Sequence, residues 1–195
     1  MKTKRVLITG GAGSIGSYIA EQLARENPRE LVVYDNFSRG RRENLAAAQA
    51  IYPITIINGD VCDLKHLHHA MEDIDFVFHQ ARVSPVECLR NPRLAMDVLV
   101  TGTFNVLEAA VGAGVSRVIT TSPALEAIDT DNSVHAAAQR FSRGLLPSFA
   151  ELYGLPYVTL RYDALYGPGM EMQGGLGEWI RNIEPDPTSV EVSIA

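Results

Sequence analysis

Apolar residues fall along this chain in two alternating patterns. Short continuous runs rich in β-branched residues occupy positions 6–8, 31–34, 54–57, 75–78, 115–121 and 155–160. Between them, apolar residues recur every three or four positions, as in Ile15, Ile19, Ala20 and Leu23. The runs suit strands buried on both faces of a parallel sheet, and the periodic segments suit helices with one apolar face. The spacing predicts helices over about 42–51, 64–72, 92–111, 134–153 and 176–183. Asn27-Pro28 and the glycines at 112 and 114 mark helix ends, and Pro147 predicts a kink or break. Such alternation with short loops predicts an α/β doubly wound parallel sheet of strand order 3-2-1-4-5-6, with ligand at the carboxyl ends of its strands.

The first strand ends in Gly10, Gly11, Gly13 and Gly16, and a helical pattern opens at once. A strand that stops on glycines and restarts as a helix presents free backbone N–H groups and a partial positive charge, which suit a phosphate. The glycines match both GxGxxG and GxxGxxG. The second strand ends in Asp35, about 20 residues further on, where a carboxylate can accept hydrogen bonds from a ribose hydroxyl. Together these features point to a dinucleotide.

Composition narrows the picture. The chain has 195 residues, 46% hydrophobic, with a net charge of −6. That suits one globular domain with a real core and argues against general affinity for nucleic acid or an acidic membrane. The basic N-terminus precedes an apolar run too short for a signal-peptide core or a membrane span. Cys62 and Cys88 have no metal-ligand spacing, so a reducing cytoplasm is the expected location.

Other residues add chemistry. Arg39, Arg41 and Arg42 read equally as cations for a 2′-phosphate or as a solvated loop and helix face, and Asp35 would repel such a phosphate, which favours NAD over NADP. Asp60 and Val61, just after strand three, suit adenine: one takes its amino group and the other covers its face. Ala81, after strand four, is small enough for a cofactor to lie against the backbone. His79 ends that strand and reads as a structural hydrogen-bonder. Of His66, His68 and His69, only the first and last lie one turn apart and no third ligand accompanies them, so no metal is expected.

Six stretches then resemble the extended short-chain dehydrogenase/reductase family, NAD-dependent nucleotide-sugar epimerases and dehydratases in particular. They are TGGAGSIGS at 9–17, DNFSRG at 35–40, GDV at 59–61, FHQA at 78–81, GTFNVLEAA at 102–110 and LRYDALYGPG at 160–169. The resemblance implies a Rossmann-type NAD-binding domain over 1–165 and a short remnant of the substrate-binding region over 166–195. It implies that Gly10, Gly13 and Gly16, with the backbone of Ser14 and Ile15, hold the pyrophosphate. Asp35, assisted by Asn36 and Ser38, holds the adenosine ribose, Asp60 and Val61 hold adenine, and Ala81 lies near the middle of the cofactor. Ser122 falls where the family places its catalytic serine or threonine. A nucleotide-sugar or other small-molecule substrate and a homodimer built on the two long helices are implied as well.

The resemblance fails at the family's reactive pair, a tyrosine and a lysine at i and i+4 on the helix after strand five. Those positions hold His135 and Gln139. No tyrosine has a lysine four residues later, and Lys65 is the last lysine. An unassisted phenol of pKa about 10 is only about 0.1% ionised at neutral pH. Leu99, Glu126, Asp163 and Ala164 also depart from the pattern, and Arg82 stands where a second alanine is usual. Three expectations stay open: an NAD-binding protein that has lost the usual hydride chemistry, an active enzyme using Ser122 and His135, or a subunit completed by a partner. His135 has the reference pKa of a general base; its alternative reading is a solvated residue at a helix start.

Overall fold

A computed structural model describes residues 1–123 and 131–162, all within the unit Met1–Asp163. The expectations about Glu126, Asp163, Ala164, the helix over 176–183 and the remnant over 166–195 lie outside the described residues. The elements run β1 (Arg5–Thr9), α1 (Ser14–Arg25), β2 (Glu30–Asp35), a 3-10 turn (Arg42–Leu45) leading into α2 (Ala46–Ile51), β3 (Thr55–Asn58) and α3 (Leu64–Ala70). After β4 (Phe76–His79) and α4 (Pro85–Arg90), π-helical turns over Ala95–Gly102 run straight into α5 (Thr103–Gly112). Then come β5 (Arg117–Pro123), α6 (Val134–Tyr153) and β6 (Tyr157–Tyr162). The sheet has the order β3-β2-β1-β4-β5-β6, as the alternation predicts, and every pair is parallel.

The apolar runs are continuous because both faces of the sheet are covered. Val6 and Ile8 of β1 with Leu31 and Val33 of β2 pack under Ala20, Leu23 and Ala48 of α1 and α2. Leu7, Val32 and Tyr34 point the other way, into a core with Leu67, Val106, Leu107 and Phe149. The period of two along a strand divides one sequence run between two cores.

One helix was not expected and one expectation is corrected. Ser84 opens α4 with a full capping box, its hydroxyl accepting from the Glu87 backbone while the Glu87 carboxylate accepts from the Ser84 backbone. The S-P-V-E signature was present in the sequence. Pro147 does not break α6, which runs through it and ends at Gly154 in the left-handed conformation. Leu146 and Phe149, buried on either side of the proline, hold the helix on the core.

The helix over Ala95–Gly112 is long and apolar enough, by length and composition, to cross a membrane, and half of it is buried inside this fold. Its apolar residues include Ala95, Leu99, Val106 and Leu107, all fully or almost fully buried.

The glycines separate two kinds of position. A Cβ on Gly16 would lie 2.3 Å from the Gly10 carbonyl oxygen, a backbone atom, whereas a Cβ on Gly144 of α6 meets nothing within 4 Å. Gly16→Ala is expected to destabilise the protein by about 1–3 kcal/mol through overpacking. Gly144→Ala should stabilise it by about 0.5–1 kcal/mol through helix propensity. Urea unfolding of the two variants checks both signs, and a neutral Gly16→Ala would contradict the packing described.

Candidate functional site

The carboxyl ends of the strands form one continuous edge. Register puts Thr9 beside Tyr34 and His79, Asp35 beside Asn58, and His79 beside Thr120. Asp60, Asp35, Gly10, Ala81 and Ser122 therefore follow one another along it. The chain reverses direction across the sheet between β1 and β4, which is where open α/β sheets leave a crevice.

Gly10 has φ +64°, and a Cβ on it would lie 2.6 Å from the Ala81 backbone nitrogen. The loop after β4 thus packs directly on the glycine turn. Gly13 is the N-cap of α1 and carries no side-chain cap, and the first turn of α1 holds no acidic residue. The backbone donors at Ser14, Ile15 and Gly16 therefore begin a helix whose positive end is left for an external anion. This fits a pyrophosphate.

Asp35 is buried beside that turn. One carboxylate oxygen accepts the Ala12 N–H at 2.9 Å and the other accepts the Phe37 N–H at 2.8 Å. Each oxygen keeps a further lone pair for a hydroxyl. The carboxylate also fixes the turn it neighbours, a duty the sequence did not disclose. The Asn36 amide donates to Asp60 at 2.9 Å, and the Ser38 backbone and hydroxyl donate to the Asn36 carbonyl oxygen. Asp60 accepts a second bond from the Cys62 N–H, and these bonds hold its carboxyl below the ordinary range against the opposing effect of burial. Val61 is buried, its carbonyl accepting from Asn105, with its methyl packed where Gly102 leaves room. So the ends of β2 and β3 are tied into a single cleft wall. Of the three arginines, Arg39 forms an ion pair with Glu87 at 3.2 Å and Arg42 stacks over the Phe37 ring at 4.5 Å.

At the other end, Ser122 and Gln139 line one small cavity of about 20 Å³. His135 does not line it. It is 8% exposed, so the solvated-helix-start reading is overturned: the apolar face of α6, at His135, Ala138, Ser142 and Leu146, turns it inward. Its Nε2 lies 3.2 Å from the Val83 carbonyl, an acceptor only, which assigns the proton to Nε2. The Gln139 amide lies 3.3 Å from the same nitrogen. Burial holds the imidazole below its ordinary pKa, hence neutral at pH 7.

Sequence reasoning missed the rest of this cavity. Arg82 reaches in from the loop after β4, its Nη2 donating to Thr120 Oγ1 at 3.1 Å and to the Thr121 carbonyl. Arg143 lines it from α6. Thr121 donates to Gln80 Oε1 at 2.7 Å. Arg82 was visible as a charge following an apolar strand, but nothing local said that its side chain turns under β5. His79 also lines the cavity, held between the hydroxyls of Thr9 at 2.7 Å and Thr103 at 3.1 Å. Among the described residues, no group of three His, Cys, Asp or Glu side chains could hold a metal ion.

The model of the NAD dependent epimerase/dehydratase family matches residues 6–192. A putative UDP-glucose 4-epimerase of Methanocaldococcus jannaschii is 27% identical over 188 residues, 88% of this chain and 59% of that protein. A solved UDP-N-acetylglucosamine 4-epimerase from Methanobrevibacter ruminantium M1 is 30% identical with a TM-score of 0.79, covering 90% of this chain and 60% of that one. A double mutant of a dTDP-glucose 4,6-dehydratase from Streptomyces venezuelae, solved with NAD bound, is 28% identical with a TM-score of 0.81, covering 92% and 62%. The chain spans about 60% of the length of these relatives.

His79 carries a pH dependence. Burial, with the nearby Arg82 charge adding to it, pushes its pKa down to about 3. The folded protein thus excludes a proton that the unfolded chain takes up below about pH 6.5. The stability this supplies is present above that pH and is lost as pH falls toward 3. Urea unfolding is expected to show a loss of up to ~1.4 kcal/mol per pH unit between pH 6 and 4 from this group. The slope should be shallower in His79→Asn; an unchanged slope would remove His79 as the cause.

Proposed function

This chain belongs to the NAD-dependent epimerase/dehydratase family, and from that premise we propose that it is an NAD- and nucleotide-sugar-binding member in which the tyrosine–lysine chemistry has been lost. The observation that carries this reading is the state of the two reactive positions. His135 spends its Nε2 proton on the Val83 carbonyl and stands off the cavity wall, and Gln139 has no charge to lend. An imidazole held on a backbone carbonyl and an uncharged amide one helical turn away do not reproduce a paired acid and cation.

The cofactor residues fit the group. Gly10, Gly13 and Gly16 bring the N–H groups of Ser14 and Ile15 to the pyrophosphate, and Asp35 takes the adenosine ribose with Asn36 and Ser38 behind it. Asp60 accepts from the adenine amino group, Val61 covers its ring, and Ala81 leaves room along the middle of the dinucleotide. NAD, when bound, supplies a hydride acceptor. Ser122 would orient a sugar hydroxyl beside it. Among the described residues the one imidazole on the cavity wall, His79, is held between the hydroxyls of Thr9 and Thr103, so none of them is placed to take that hydroxyl's proton and binding does not proceed to turnover. We assign 1–165 to the NAD domain and 166–195 to the substrate-binding region.

A homodimer is part of the same proposal. Met96, Phe104 and Phe141, on the two long helices, expose between 44% and 59% of their surface, which an apolar contact between two copies would cover.

Three outcomes are expected. Asp35→Asn should raise the dissociation constant for NAD by roughly tenfold or more, read by isothermal titration. Wild-type protein loaded with NAD should bind nucleotide sugars and leave them unchanged by NMR, and a conversion of the sugar that is abolished in His135→Ala would replace this reading with that of an active enzyme. Sedimentation should give a species of twice 21.3 kDa; a monomer alone would refute the dimer.

A further inference from the structure

The cavity beside Ser122 holds a cation with no counter-charge among the described residues. Arg82 is half-buried, and its hydrogen-bond partners among the described residues are neutral oxygens, Thr120 Oγ1 and the Thr121 carbonyl, both reached through Nη2. Its Nε and Nη1 donate to no described residue, and no described carboxylate pairs with it. Removing a guanidinium from water is costly unless an anion compensates. Arg143 lines the same cavity, and among the described residues no Asp or Glu does. A second donor beside it is also unspent: Gln80, 7% exposed, has no partner for its Nε2, while its Oε1 is taken by Thr121.

We propose that this cavity is a carboxylate-binding site anchored by Arg82, and that the nucleotide sugar this protein holds carries an acid group on its sugar. The proposal rests on the nucleotide-sugar reading above for the source of the carboxylate, but not for the site itself. Size chooses the anion. The cavity measures about 20 Å³, and a single water needs roughly 10–15 Å³ on the same scale. One edge of a planar carboxylate enters such a space; a tetrahedral phosphate does not. Position chooses the presenting group, because Ser122 lies on the cavity wall where a sugar hydroxyl is expected. A carboxylate there accepts from Arg82 through charge-assisted bonds, with the Thr120–Ser122 segment as its floor. His79 supplies no competing cation, since it is neutral at pH 7.

The test is isothermal titration of the NAD-loaded full chain with UDP-glucuronic acid and with UDP-glucose, which differ by the carboxylate. The acid is expected to bind at least tenfold more tightly, and Arg82→Gln should abolish that preference. Equal binding by the wild-type protein, or a preference that survives in Arg82→Gln, would overturn the site. Should Arg82→Gln fail to fold, judged by its NAD affinity, Arg82→Lys replaces it: it keeps the charge but cannot both hold the Thr121 carbonyl and reach the ligand, so most of the preference should go. Free glucuronate provides the separate arm. If neither nucleotide sugar binds but free glucuronate raises the melting temperature only while Arg82 is present, the carboxylate site stands and the nucleotide-sugar reading falls. If no carboxylate binds in either arm, the site falls.

Discussion

Backbone meets backbone at the end of β1, and the rest of the fold is arranged around that approach. A side chain on Gly16 would strike the Gly10 carbonyl, and one on Gly10 would strike the Ala81 backbone. The α1 helix can therefore start within one turn of the central strand, and the β4 loop can settle on the same turn. Asp35 completes the arrangement by accepting the Ala12 N–H from the neighbouring strand end. Because these contacts involve fixed backbone, they leave little freedom for the crevice between β1 and β4 to deform.

This changes how the glycines are understood. In a sequence they point to a ligand, since a Cβ would hold a pyrophosphate away. In the structure, Gly10, Gly11 and Gly16 are required by the protein's own packing whether or not anything is bound, and Gly13 alone meets only a moderately tight contact at 3.2 Å. A turn built this way would survive the loss of catalysis, because destroying it would destroy the sheet. That fits the proposed reading, in which the dinucleotide cleft is kept while positions 135 and 139 hold histidine and glutamine.

The two ends of the cleft differ in what holds them. At the adenosine end, short polar side chains close on one another: Asn36 on Asp60, Ser38 on Asn36, Asn105 on the Val61 carbonyl. At the other end a guanidinium stands among hydroxyls with no carboxylate among the described residues. A satisfied network fixes geometry, whereas an uncompensated charge fixes an expectation about what enters. The same low-dielectric setting keeps His79 and His135 neutral, so the positive charge of the cavity comes from arginine and not from imidazole.

The sequence by itself determined the sheet, its strand order and the glycine–aspartate constellation. Those depend on period, turn chemistry and spacing along the chain, which are local properties. The capping box at Ser84 was equally local and equally readable. Three things came only from the tertiary structure. The burial of His135 depends on which face of α6 meets the core. The continuity of α6 through Pro147 depends on Leu146 and Phe149 being packed. The position of Arg82 depends on a long side chain crossing from one strand end to the next. Each is a contact between residues dozens of positions apart, or a helix face chosen by its neighbours, and no periodicity along the chain carries that information.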